Sequence, residues 1–317
     1  MGTFIAKRLG FGLLVLFTLS VFVFFLFFVA PGDPARIVAG EKASAVQLEQ
    51  VRQNLGLDRP IVQQYATFVT RAAQGDLGYS YRNRQPVTDI ILRRIPVTLS
   101  LVFGGMVFWL AIGIPIGIAS ARNPGTWKDR LGQVFILLGL SFPTFVLGML
   151  ALYTLYFLPR TAGFTLFPPG GYKPLLDDPL QWAWYLTLPW ITLALVTAAI
   201  YARLTRGQLL QVLSEDYIRT ARAKGLSERK VIYRHGMRAT LTPLITQLGA
   251  DIALMLGGVI VIEQVYGLQG VGSLAVQAVR NQDRPIIIGV VMLGGLFIVL
   301  CNIIVDLFYA ALDPRMH

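Results

Sequence analysis

The sequence predicts an all-α, polytopic membrane protein with six transmembrane helices, and three observations carry that prediction. The 317 residues are 55% hydrophobic and only 14% charged, with a mean hydropathy of +0.60, a composition that suits an integral membrane chain and not a large soluble one. Residues 9–32, 95–121, 131–159, 179–202 and 285–305 contain no Asp, Glu, Lys or Arg, and residues 239–262 are interrupted only by Asp251. Each of these runs reaches the roughly 20 residues that a helix needs to cross a bilayer. The runs are long and continuous, without the short alternation of a transmembrane barrel strand.

Sidedness follows from the basic residues in short flanks. Lys7 and Arg8 precede the first run, Arg122, Lys128 and Arg130 follow the second, and nine Lys/Arg lie between Arg203 and Arg238. All fall on one side, which the positive-inside rule makes cytoplasmic, together with both termini. The segment 33–94 also has nine Lys/Arg, but six acids balance them and its length weakens the rule. The first run is too long for a signal-peptide core and has no small-x-small cleavage site, so it reads as a retained span. The net charge of +11 reflects the cytoplasmic face and gives no reason to infer nucleic acid. Cys301 is the only cysteine, and His235 and His317 have no partners at metal-ligand spacing, so neither a disulfide within the chain nor a metal site is expected.

Three regions result: residues 1–32, a cytoplasmic N-terminus and first span; residues 33–94, an external segment; and residues 95–317, a five-helix membrane core. Pro31-Gly32-Asp33-Pro34 ends the first helix. Helical spacing over 44–74 splits at Leu55–Pro60, residues Gly75–Ser80 form a turn-rich break, and a short helix lies near 86–94. Pro96 then opens the second span, in which Gly113 and Gly117 let another helix approach closely. Pro143 predicts a kink in the third span, and an external loop runs from Pro159 to Pro179. In the fifth span Gly249, Ala253 and Gly257 form a face of small residues, and Asp251 is a carboxylate at membrane depth, a position that marks a pathway or a structural hydrogen bond.

Between the fourth and fifth spans lies a cytoplasmic loop of about 203–240. Its centre, Glu215 to Lys230, is the longest charged helical run in the chain. Ser214 can cap a first helix with Glu215 and Asp216 in its first turn, Arg222 and Lys224 suit its end, and Gly225 can take the left-handed stop. Ser227 can cap a second short helix from Glu228. Tyr217, Ile218, Ala221 and Leu226 are then available to a partner surface. The same composition also suits a solvated loop.

The run Asp216-Tyr217-x-Arg219-Thr220-Ala221-Arg222-Ala223-Lys224-Gly225-Leu226 resembles the coupling loop of permease subunits in the dipeptide/oligopeptide branch of binding-protein-dependent ABC importers. Arg219 stands in the region of that loop's general Glu, whose role is not carried over, and the general motif's Pro is missing. Pro-Gly-Asp-Pro at 31–34, Leu-Gly-Leu-Asp-x-Pro at 55–60 and Gly-Asp-Leu-Gly-x-Ser at 75–80 are similar to the same family. So are Leu188-Pro189, Ala202–Arg206, and Asn302, Asp306, Tyr309 and Asp313-Pro314-Arg315 near the C-terminus. Glu263, Tyr266, Gly270 and Gly272 resemble the family's external turn, with Gln269 in place of its usual Pro.

The resemblance implies a type I importer permease fold. It also implies a second related permease, two cytoplasmic ATPase subunits and an extracytoplasmic substrate-binding protein as partners, with Glu215–Leu226 as the ATPase-coupling element. Asp251 and Glu263 are the candidate residues of the translocation pathway. No Gly-Lys dipeptide occurs, so the chain has no phosphate-cradling Walker loop. ATP and Mg are therefore expected on the partners, no cofactor on this chain, and no enzyme activity of its own. The function implied is translocation of di- or oligopeptides, with nickel or glutathione as other cargoes of the branch. A secondary transporter would show inverted repeats or several intramembrane charges, and a membrane enzyme a nucleophile or metal constellation; neither pattern is present.

Overall fold

The computed structural model describes residues 2–26, 34–39, 43–54, 56–80 and 82–312. In chain order its helices are α1 (Gly2–Phe24), α2 (Pro34–Ala39), α3 (Ala45–Asn54), α4 (Ile61–Ala73), α5 (Val87–Arg122), α6 (Trp127–Ser141), α7 (Thr144–Leu152) and α8 (Leu158–Thr161). They continue with α9 (Pro179–Leu213), α10 (Asp216–Ala223), α11 (Glu228–Lys230), α12 (Met237–Val265), α13 (Val271–Arg280) and α14 (Arg284–Leu312). Wide helical turns at Tyr153–Phe157 and Val231–Gly236 join α7 to α8 and α11 to α12. Strands β1 (Tyr79–Ser80) and β2 (Gln85–Pro86) pair antiparallel, Tyr79 opposite Pro86 and Ser80 opposite Gln85.

Among the described residues, four helical segments are long and apolar enough to cross a membrane: Ala6–Phe24, Val87–Arg122, Pro179–Leu213 and Arg284–Ile304. A fifth candidate is the pair Trp127–Ser141 and Thr144–Thr161, bent by 100°. The predicted kink at Pro143 is thus a full break. Phe142 and Pro143 are both extended, because proline disfavours the helical conformation in its predecessor. The sixth predicted run, 239–262, lies within the 29-residue α12.

Other boundaries move as well. Pro96 does not open the second span. It lies inside a 36-residue helix that starts at Val87, where buried Val87 and Ile91 anchor the first turns against Gly289. Within the predicted loop of about 203–240, α9 continues as a helix to Leu213. The second short helix is no separate element, because α11 runs through Val231–Gly236 into α12. Helix α13, after the external turn, has no counterpart in the prediction. Residues 31–33 and 313–315 and the side chains of 253, 257, 306 and 309 lie outside the described residues, so the motifs that use them are not seen.

The chain forms two compact units. In the first, residues 1–94 and 274–303, Gly12 and Gly295 let α1 and α14 meet, since a Cβ at either would overlap Val299 or Leu19. Ser20 shares a 2.8 Å hydrogen bond with Tyr65 of α4, and the Tyr65 ring stands edge-on to Phe24 at 5.3 Å. In the second, residues 95–273 and 304–317, α5 lies directly on α9. A Cβ at Gly113 would be 2.6 Å from the Ala198 carbonyl oxygen, and one at Gly117 would be 2.7 Å from that of Ala202. Gly104 is filled in the same way by the Trp190 ring. Without a hydrophobic drive between helices in lipid, such close backbone packing is what holds them.

Candidate functional site

Helix α10 is a short helix packed on a small core. Its inner face, Ile218 and Ala221, is buried with Val231, and Val212, Leu213 and Leu226 pack around them. Ile218, Ala221 and Leu226 are therefore not free for a partner, as the sequence suggested. A helix this short gains its stability from packing its apolar stripe, so that stripe turns inward onto the chain's own helices. What remains outward is Glu215, Asp216, Tyr217, Arg219, Thr220 and Lys224. Tyr217 is 47% exposed, and partial burial together with the nearby Glu215 carboxylate pushes its phenol up.

The ends of α10 differ from each other. Ser214 does not cap it. Ser214 closes α9, its Oγ donating to the Gln211 carbonyl at 2.7 Å, and Glu215 takes the N-cap position without a side-chain cap bond. The C-terminal end is fixed more firmly. Gly225 is left-handed (φ 75°), its N–H donates to the Arg222 carbonyl at 2.9 Å, and the Leu226 N–H donates to the Ala221 carbonyl at 3.3 Å. This is a Schellman stop, completed by the apolar contact of Leu226. Arg222 spans the stop, donating from Nε to Glu228 Oε1 at 2.7 Å and from Nη1 to the Leu213 carbonyl at 3.4 Å. The Asp216–Arg219 pair, at 3.3 Å, is largely exposed and contributes little.

A second polar junction went unread in the sequence. Asp129, buried at the start of α6, accepts from Arg206 Nε at 2.8 Å and Nη2 at 2.9 Å, and from the Gly125 N–H at 2.9 Å. The fork geometry ties α6 to α9 about two helical turns before α9 ends at Leu213. Asp129 sits between Lys128 and Arg130, so in sequence it looks like one charge in a loop.

The turn predicted to be external, between α12 and α13, is a closed hydrogen-bonded knot. Glu263 is completely buried. Its Oε1 accepts from Thr98 Oγ1 at 2.6 Å and its Oε2 from the Ser273 N–H at 2.7 Å, while Thr98 Oγ1 accepts from the Val271 N–H at 2.8 Å. A Cβ at Gly270 would overlap Glu263, and one at Gly272 would be 2.6 Å from Ile260. Tyr266 is buried beneath the turn, its hydroxyl 2.6 Å from Thr192 Oγ1. Both Glu263 carboxylate oxygens are thus engaged within the turn. A buried carboxylate demands such partners, and it uses them to fix the turn that the absent proline would have stiffened.

Asp251 has a different environment. Gln247 Nε2 donates to its Oδ1 at 2.9 Å, but the buried Oδ2 has no hydrogen-bond partner among the described residues. The Tyr201 hydroxyl stands beside it, and the Trp109 indole N–H lies close to Tyr201 in turn, both buried. Three buried polar groups thus converge from α5, α9 and α12. Among the described residues no set of three His, Cys, Asp or Glu side chains is placed to hold a metal.

The sequence matches two family descriptions: "Binding-protein-dependent transport system inner membrane component" over residues 113–317 and the corresponding N-terminal component over residues 1–102. It is 40% identical to the glutathione transport system permease protein GsiC of Escherichia coli K12 over 314 residues, 99% of this chain and 98% of the relative. A Brucella suis biovar 1 (strain 1330) protein, with the provisional name of peptide transport system permease protein, is 38% identical over 317 residues, covering 100% of this chain and 99% of its own. Among solved structures, the inward-facing MetNI methionine ABC transporter aligns with a TM-score of 0.54 and 18% identity, over 71% of this chain and 96% of that one. That likeness concerns the fold.

Proposed function

The chain belongs to the family of binding-protein-dependent transport system inner membrane components, and we propose that it forms the path by which short peptides, glutathione among them, enter the cell. It is a membrane-embedded permease subunit of an ABC importer and not itself an enzyme. The observation that carries the cargo reading is 40% identity along 99% of the chain to a glutathione permease. Glutathione is a tripeptide, so the two names among the relatives describe one chemical class.

In this reading both termini are cytoplasmic and α10 faces the ATPase. Tyr217, Asp216, Arg219, Thr220 and Lys224 make the contact, while Ile218, Ala221 and Leu226 transmit the force by seating α10 on α9 and the start of α12. Gly225 and the Arg222–Glu228 bridge make the seat stiff. A second related permease completes the pathway, with Asp251 and its unmatched oxygen on it. Two ATPase subunits bind ATP and Mg, and an extracytoplasmic binding protein delivers the cargo.

The test is uptake of radiolabelled glutathione and of an unmodified tripeptide by vesicles containing the complete importer, with its binding protein outside and ATP inside. ATP-dependent accumulation of at least one supports the reading. Accumulation of neither, with transport of nickel or another non-peptide cargo, overturns it.

A further inference from the structure

In the second unit, a cleft of about 260 Å³ opens between α9 and α12, lined by Arg203, Gly207 and Gln208 of the one and Gln247 of the other, with Ile200 and Leu204. Arg203 is exposed and makes no ion pair or hydrogen bond among the described residues. Arg206, three residues on, has its fork filled by Asp129; that of Arg203 is empty. At Gly207 an added Cβ would meet nothing within 4 Å, so the cleft is open there.

Gln247 also belongs to the buried cluster next to the cleft. Its Nε2 donates to Asp251 Oδ1 at 2.9 Å, one turn further along α12, and the Tyr201 hydroxyl lies beside the same carboxylate. Both neighbours are neutral. No Lys, Arg or His pairs with Asp251 among the described residues, although it is only 9% exposed. A buried carboxylate without a cation is costly, and inside a membrane helix it marks a ligand site or a pathway. Gln247 therefore separates a carboxylate short of a cation from a guanidinium short of an anion. The complementary ligand is small and zwitterionic, since a guanidinium fork takes a carboxylate in two parallel bonds. The volume is close to the lower end of the roughly 300–1,000 Å³ range of small-molecule sites, a size for a short peptide and not for a folded segment.

We propose that this cleft holds a short peptide by its two ends, the terminal carboxylate on Arg203 and the terminal ammonium on Asp251, with the Gln247 amide turning from Asp251 to the peptide backbone. The proposal rests on the importer reading above and assigns to this chain residues that read its cargo. A peptide with a blocked end leaves one of the two charges unmatched, so the site rejects it.

The test is equilibrium binding of radiolabelled trialanine to the complete membrane complex, both permeases with their ATPases, in phosphatidylcholine nanodiscs without nucleotide or binding protein. The N-acetyl and C-amide forms serve as competitors. Each is expected to bind about tenfold more weakly than free trialanine. In Arg203→Gln, free trialanine should weaken about tenfold and amidation should cost nothing further, whereas acetylation keeps its cost. Asp251→Asn should show the reverse. Arg203→Gln changes an exposed position, so it decides alone if Asp251→Asn lowers the recovery of complex. Amidation that costs as much in Arg203→Gln as in the parent overturns the site. So does a parent complex that binds no trialanine while ATP-driven uptake of it proceeds with the binding protein present. If no peptide is taken up at all, the cargo reading falls and the site with it.

Discussion

Arg222 and Glu228 face each other across Gly225, 2.7 Å apart, and so join the short helix α10 to the helix that becomes the fifth membrane run. Arg222 also reaches back to the Leu213 carbonyl at the end of α9. One side chain thus binds three consecutive elements at the point where a force on α10 would enter the membrane helices. A partly exposed pair of this kind contributes little to stability by itself; its effect is to fix an angle.

Gly225→Val is expected to abolish uptake while leaving insertion intact. A Cβ at this position meets nothing within 4 Å, so the penalty is conformational: a β-branched residue at φ 75° adds about 1–3 kcal/mol of strain. Gly225→Asn, which tolerates the left-handed region, should keep most of the activity. Uptake compared with membrane abundance separates the two, and equal transport by Gly225→Val would show that the stop is not needed.

Ile218→Ala should act through stability and not through contact. The side chain is fully buried in a core of three residues, and losing it costs about 2–4 kcal/mol of local stability. The expected signature is faster proteolysis within residues 214–230 in the assembled complex. Resistance equal to the parent would contradict the burial of that face.

Asp129→Ala leaves the Arg206 guanidinium, 26% exposed, without its fork. Breaking a buried pair from one side costs about 3 kcal/mol, and a lower melting temperature should report it. Replacing both, as Asp129→Leu with Arg206→Met, should recover part of the loss, because the remaining charge is gone as well. A double variant no better than the single would assign the effect to packing.

Gly270→Ala should be worse than a typical glycine replacement in a turn. Its new methyl group would occupy the space of Glu263 Oε1, and overpacking of this kind costs about 1–3 kcal/mol. Glu263→Gln should relieve little, since Gln keeps the volume. Thermal unfolding of both variants in detergent checks this, and a neutral Gly270→Ala would mean that the turn yields.

Much of the fold was legible because lipid imposes a coarse rule, that uncharged runs of sufficient length become helices: among the described residues four of the predicted runs give single helices long and apolar enough to span, a fifth gives a pair bent at Pro143, and 239–262 lies within α12. Their limits were less legible. Pro96 reads as a start in sequence, but the buried anchors Val87 and Ile91 extend the helix through it. The stop at Gly225 was legible because left-handed backbone selects glycine, whereas the inward face of α10 was not, since sequence shows an apolar stripe without its partner. Asp129 and Glu263 show the same limit. Their roles depend on Arg206, Thr98 and Ser273, residues 10 to 165 positions away, and no local pattern announces such pairings.

The central claim is that the outward face of α10 seats in the partner ATPase, and Tyr217 is its exposed aromatic side chain. The most direct measurement is disulfide cross-linking in the complete importer, with Tyr217→Cys in this chain and single cysteines placed along the ATPase groove. Cys301 is buried and is replaced by Ala so that one thiol remains. The account predicts a strong cross-link to the ATPase whose yield changes when ATP is added. A protein that transports normally but gives no cross-link at Tyr217→Cys, or gives the same yield with and without ATP, would contradict it.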